Sequence, residues 1–259
     1  MRDSVLGTKN LRFNWLEDRT ILLAPTGSYA YGTNTENSDK DYKGVCIPPE
    51  EYFLGLKAFN EYNNTGGKNF KNSRDDVDIS IMHINKFVKE AAKGNPTSLE
   101  LLFMDENSYL KMTDLGKILI DNRLLFLSKR VKSTFGGFAK AQMQKLITKK
   151  GNNTGRQELV QQYGYDTKFF MHSVRMLTSA IEILETGNYR TYRPDRDMLL
   201  DCRNGKYSYE GAIEIIKHYD SKLQEAYLNS SLPDEVDHEK VNKMLIDINR
   251  EALGLYWSK

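Results

Sequence analysis

Apolar and polar positions alternate in parts of the first hundred residues and then recur with helical spacing through most of the remaining chain. The run Leu22-Leu23-Ala24-Pro25-Thr26 predicts a short apolar strand ending in a turn at Gly27-Ser28, with a helix opening through Tyr29-Ala30-Tyr31. Asp76 to Met82 alternates polar and apolar side chains, the pattern of a half-buried strand. From His83 to Lys93, Ile84, Phe87, Val88 and Ala91 take helical spacing. Gly94-Asn95-Pro96 stops that helix before a second short one through Leu99, Leu102 and Phe103. Thr113 to Asp121 and Ser128 to Thr148 continue as helices, the second weakened or bent at Gly136-Gly137. Tyr209 to Leu228 and Glu239 to Trp257 predict two long amphipathic helices. Strands followed by helices place the chain in the α/β class in its α+β form. A junction near Met104 to Asp114 divides it into a sheet-bearing domain, residues 1–108, and a helical C-terminal domain, residues 109–259.

The helix expected from Asp166 to Thr186 has Asp166 as its N-cap and Gly187 as its stop. Phe170, Val174, Leu177, Ile181 and Leu184 form an apolar stripe, and Lys168, His172, Arg175 and Ser179 form a polar one nearly opposite. Phe169, Met176 and Ile183 add apolar surface between the stripes, which predicts a central helix whose basic stripe lines a cleft facing the sheet domain. Lys168 and Arg175 are suited to phosphate charge, and His172 to hydrogen bonding with donor or acceptor. Arg193 and Arg196 are weaker candidates, because Pro194 beside them is equally suited to starting a helix.

The polar positions near the first strand carry the chemistry. Side chains two apart on an extended segment point to one side, so Asp39 and Asp41 in Ser38-Asp39-Lys40-Asp41 can present two carboxylates to one place. Such a pair suits a divalent cation with hard oxygen ligands, and paired metals about 3.5–4 Å apart hold attacking and leaving oxygens in line. Gly27-Ser28 offers backbone N–H groups and a hydroxyl to a triphosphate. Two aspartates cannot hold two cations and also accept a proton, so a third carboxylate is expected from a neighbouring strand. Asp78, embedded between Val77 and Ile79, is the preferred residue, with Asp76 as the alternative.

Gly-Ser, then Asp-x-Asp, then a strand aspartate resembles the DNA polymerase β superfamily of nucleotidyltransferases. A closer resemblance is to predicted nucleotidyltransferases encoded beside RNA ligases. It runs through Gly27-Ser28-x-Ala30-Tyr31-Gly32-Thr33, Ser38-Asp39-x-Asp41 and Gly94-Asn95-Pro96-Thr97-x-x-Glu100-Leu101-Leu102. Gly164-Tyr165-Asp166-Thr167-Lys168, His172, Arg175 and Arg193-Pro194-Asp195-Arg196 extend it over most of the chain. The resemblance implies a small mixed nucleotidyltransferase sheet, two Mg²⁺ ions or Mn²⁺ in their place, an NTP such as ATP as donor, and release of pyrophosphate. It favours Lys168, His172 and Arg175 as substrate-binding positions and leaves the acceptor open. The long polar stretch between Asp41 and Asp78 departs from the superfamily pattern.

Composition adds the partner. Although 37 basic residues nearly balance 35 acidic ones, no acid occurs from Asn122 to Gln157. Arg123, Lys129, Arg130, Lys132, Lys140, Lys145, Lys149, Lys150 and Arg156 all fall there. That positive field suits RNA, DNA or an NTP tail, or else a solvated helix face. Lys149 to Arg156 predicts a mobile basic loop. Two cysteines, Cys46 and Cys202, without Cys-x-x-Cys spacing argue against a disulfide framework or zinc site, and the expected compartment is the cytoplasm. The start lacks the apolar core of a signal peptide, and no apolar run reaches membrane-spanning length. The leading expectation is NMP transfer to an RNA or tRNA end in RNA repair. Transfer to a protein or small molecule comes second, and a binding module without turnover third.

Overall fold

The structure, a computed structural model, describes residues 13–36, 38–64, 77–148 and 157–255. Asp76, the basic loop at residues 149–156 and Trp257 lie outside them. In chain order the elements are α1 (Leu16–Arg19), β1 (Thr20–Thr26), α2 (Ser28–Tyr31), β2 (Lys40–Cys46), β3 (Glu61–Asn64), β4 (Val77–His83), α3 (Ile84–Ala92), α4 (Pro96–Leu102), β5 (Lys111–Met112), α5 (Asp114–Asp121), α6 (Val131–Thr148), α7 (Gln157–Tyr163), α8 (Thr167–Thr186), α9 (Arg196–Arg203), α10 (Tyr209–Asn229) and α11 (His238–Leu253). Mixed α/β architecture with a largely helical C-terminal region follows directly from this order.

The strands form one mixed sheet in the order β3-β4-β2-β1-β5. β1 runs antiparallel to β2 and β5, β4 antiparallel to β3, and β2 parallel to β4. Alternation sorts the two faces. Cys46, Ile79 and Ile81 join Leu16 and Phe59 in a core cluster covered by Phe13, Trp15, Tyr42, Tyr52 and Tyr62. Asp41 and Lys43 of β2, with Asp78 and Ser80 of β4, therefore take the opposite face.

Two compact units emerge. The first comprises residues 1–92, 100–125 and 237–259, and the second 93–99 and 126–236. The expected boundary at 108/109 thus falls inside the first unit. β5 explains part of this, because Leu22 pairs with Met112 and Leu23 with Lys111. Gly116 of α5 explains more: a Cβ there would lie 2.3 Å from the carbonyl oxygen of Ile21. α11 belongs with the sheet because it packs on α3 and α5, burying Val241, Met244 and Ile248. It ends at Leu253, short of the expected Trp257, because Gly254 adopts φ 63° and closes the helix.

In the second unit α8 is the central element, packed by α6, α7, α9 and α10. Asp166 caps it by accepting from the backbone N–H groups of Lys168 and Phe169 at 2.9 and 3.3 Å, and Gly187 at φ 62° ends it. Gly136-Gly137 does not interrupt α6, which runs unbroken over 18 residues. Cys46 and Cys202 are free, buried thiols, and desolvation pushes both up to about 12, so neither is a ready nucleophile. Among the described residues, no helix is long and apolar enough to cross a membrane.

The expected helix start at His83 shifts by one residue, because His83 extends β4 opposite Cys46. Its Nδ1 accepts the backbone N–H of Asn85 at 3.0 Å, and its ring sits 4.6 Å from that of Phe53. Burial pushes this imidazole down to about 4. Between that value and an unfolded value of about 6.5, the unfolded chain binds a proton that the native state refuses, so stability falls as pH drops through the window. Urea unfolding at pH 4.5 and 7.5 should show a loss on the order of 2–3 kcal/mol that His83→Gln removes. An equal pH dependence in the variant would overturn the assignment to His83.

Candidate active site

β1 ends where the candidate chemistry begins. Gly27 takes φ 66° and ψ −142°, a region open essentially to glycine alone. Its place explains the need, since a Cβ there would stand 3.1 Å from Oδ2 of Asp41. Ser28 opens the four-residue α2, closed by Gly32 at φ 74° with Thr33 N–H donating to the Ser28 carbonyl at 2.9 Å.

On β2, Asp41 is half-buried and pairs in register with Thr26 of β1 on one side and Asp78 of β4 on the other. Neighbouring strands lie about 4.8 Å apart and residues in register share a face, so the Asp41 and Asp78 carboxylates adjoin. The parallel pairing creates this juxtaposition across 37 residues of sequence, from 41 to 78. Asp39 is exposed and stands one residue ahead of β2. Among the described residues, no three His, Cys, Asp or Glu side chains gather into a ready ligand cluster. The paired carboxylates nonetheless form a hard-oxygen donor set of the kind Mg²⁺ takes, usually through one or two carboxylates with phosphate and water completing its shell.

Two further groups belong to this site: Lys43, which the sequence did not single out, and Glu100, which entered only as part of the resemblance, with no role given to it. Lys43 lies two positions beyond Asp41 on β2. Burial pulls its ammonium below the usual range, while Glu100, Asp41 and Glu61 act to raise it. Glu100, only 7% exposed, accepts from the Tyr31 hydroxyl at 2.8 Å, which ties α2 to the C-terminal half of α4. The period-two rule that pairs Asp39 with Asp41 extends to Lys43 and could have marked it. Glu100 is 57 residues from Lys43 by number, and no local pattern brings them within electrostatic reach.

Lys168, His172 and Arg175 lie along α8 in the second unit. Lys168 and His172 are half-buried, whereas Arg175 is 4% and Ser179 0% exposed. Arg193 is also buried, in ion pairs with Glu182 and Asp195. Its role is internal, unlike the weaker substrate-site candidacy read from sequence. Arg196, at the start of α9, donates to the Tyr192 hydroxyl.

Residues 9–247 match the family model described as the RNA repair pathway DNA polymerase beta family. The chain belongs to that family. A further likeness is to an uncharacterized 38.9 kDa protein of the nrdC-mobD intergenic region of Enterobacteria phage T4, 31% identical over 121 residues, which are 46% of this chain and 36% of that protein. The match thus spans little more than a third of the phage protein's length. The RNA repair pathway DNA polymerase beta family is polymerase β-like and nucleotidyltransferase in type, which agrees with an enzyme rather than a structural module.

For a member of this polymerase beta family, Gly27 becomes a sensitive position. Gly27→Ala forces a side chain into a conformation costing about 1–3 kcal/mol and crowds the Asp41 carboxylate. Stability should fall by that amount in urea unfolding. Wild-type stability in Gly27→Ala would show that the turn accommodates a side chain beside Asp41.

Proposed function

We propose that the protein is a metal-dependent nucleotidyltransferase that moves NMP from an NTP to an acceptor hydroxyl, with an RNA or tRNA end as acceptor and pyrophosphate as the second product. The observation that carries this reading is the register of Asp41 with Asp78, with Gly27 against the Asp41 carboxylate. Membership of an RNA repair family supports RNA as the acceptor.

In this proposal the NTP triphosphate lies against Gly27 and Ser28, which bind it through backbone N–H groups and the serine hydroxyl. Asp39, Asp41 and Asp78 are the residues that would hold Mg²⁺, or Mn²⁺ in its place. When bound, the ions neutralise the triphosphate and align attacking and leaving oxygens. In this reading Asp78 takes the proton of the acceptor hydroxyl. The acceptor oxygen then attacks the α-phosphorus, the bond from the α-phosphorus to the bridging β-phosphate oxygen breaks, and pyrophosphate leaves. On α8, the half-buried Lys168 is proposed to meet phosphate charge and His172 to hydrogen-bond donor or acceptor, whereas Arg175, 4% exposed, acts from within the helix packing rather than by direct contact.

The test is label transfer from each α-³²P-NTP with total RNA, tRNA or protein as acceptor, alongside Mg²⁺-dependent pyrophosphate release. RNA labelled by wild type and not by Asp41→Asn is the expected result. Label that survives nuclease but not protease would move the acceptor to protein. Absence of both pyrophosphate and label would overturn the enzyme assignment.

A further inference from the structure

Within the second unit, α6, α8 and α10 line a half-open cavity of about 430 Å³. Its floor is apolar, with Met143 from α6, Leu177 from α8 and Ile216 from α10. Lys132 and Lys140 of α6 and Lys217 of α10 also line it. The acid-free stretch supplies the first two lysines, and the helix packing adds the third from 77 residues beyond Lys140 by number. One acid, Asp220, joins them.

Two α6 glycines line the cavity. Gly136 lets Leu223 of α10 approach, since a Cβ there would stand 3.1 Å from the leucine Cδ2. At Gly137, which also lines the cavity, a Cβ would meet nothing within 4 Å. A glycine inside a helix costs about 1 kcal/mol relative to alanine, and at Gly137 no close packing explains it. An unobstructed cavity wall does.

We infer that this cavity receives an unpaired base of single-stranded RNA, with the flanking phosphates held by Lys132, Lys140 and Lys217. An apolar floor rimmed by ammonium groups complements a planar base on a polyanionic strand. A phosphate ion alone would leave the floor unused, and a duplex cannot lend a stacked, paired base to it. The Asp220 carboxylate can accept from an exocyclic amino group of the base. The choice of RNA rests on the proposed acceptor, whereas the cavity, its lysines and its opening are independent of the strand aspartates.

Anisotropy of a short fluorescein-labelled single-stranded RNA, titrated with the full chain without NTP or Mg²⁺ over a range of salt, tests this. Combined Lys132→Ala, Lys140→Ala and Lys217→Ala should weaken binding by about tenfold or more and reduce the log–log salt slope by about 2. Gly137→Leu should weaken it by about tenfold while thermal stability holds or rises, because leucine is the better helix former and fills open space. Unchanged binding in Gly137→Leu would overturn the cavity, even if the lysine variant lost affinity. Duplex RNA bound as tightly as single strand would do the same. RNA binding lost in Gly137→Leu, in a protein that labels no RNA, would sink the transfer reading alone; RNA labelling with Gly137→Leu binding unaltered would sink the cavity alone.

Discussion

Asp41→Asn is expected to reduce nucleotidyl transfer by a factor on the order of 10³ or more, with the fold intact. Asparagine keeps the size and the strand register with Thr26 and Asp78, and removes only the charge. Two adjoining carboxylates repel unless a cation or a positive neighbour compensates them, so neutralising one has little reason to unfold the sheet. Thermal unfolding should therefore stay within about 4 °C of wild type, the shift expected from roughly 1 kcal/mol or a little more in a chain this long. Asp78→Asn should lose transfer in the same way, while Asp76→Asn should retain it, which decides between the two candidates for the third carboxylate. Transfer above about a tenth of wild type in Asp41→Asn would overturn its role as a ligand.

Glu182→Ala should cost about 3–5 kcal/mol of folding stability, a large share of the usual 5–15. Glu182 on α8 accepts from Arg193 Nη1 at 2.5 Å and Arg190 Nε at 2.6 Å, and the Arg193 side chain is only 2% exposed. Arg193 also donates through Nε to Asp195 at 2.9 Å and through Nη1 to the Arg190 carbonyl at 3.2 Å. Removing Glu182 leaves a desolvated guanidinium with part of its charge uncompensated. Replacing the pair together, as Glu182→Leu with Arg193→Met, should recover much of the loss because no buried charge then lacks its main partner. Urea unfolding of the single and double variants measures both effects. A loss below about 1 kcal/mol in Glu182→Ala would show that the pair is solvated and of surface strength.

Much of the site's local geometry was legible along the chain because local rules control it. The glycine at position 27 announced a backbone turn, alternation put Asp78 on a strand, and Asp166 and Gly187 marked both ends of α8. Helix starts were less secure where a side chain can serve either element, as His83 does by ending β4 while accepting from Asn85. Burial along α8 also outran the pattern. The stripe of Lys168, His172, Arg175 and Ser179 reads as one polar face, yet neighbouring helices bury Arg175 and Ser179 and leave Lys168 and His172 half-covered.

By itself, the sequence determined β1, β4 and the longer helices, the caps of α8, the Gly-Ser turn, the Asp-x-Asp spacing and the acid-free basic stretch, but not the short elements α1, β3, β5 and α7. These depend on backbone preferences and on contacts within a few residues. Only the tertiary structure decided that β2 and β4 run parallel with Asp41 opposite Asp78, that Glu100 lies near Lys43, that α11 packs with the sheet unit, and that Lys217 joins Lys132 and Lys140 around one cavity. Each of these joins residues far apart along the chain. Strand order and helix packing are selected by the joint burial of apolar surface, and no local periodicity encodes which distant partner supplies it.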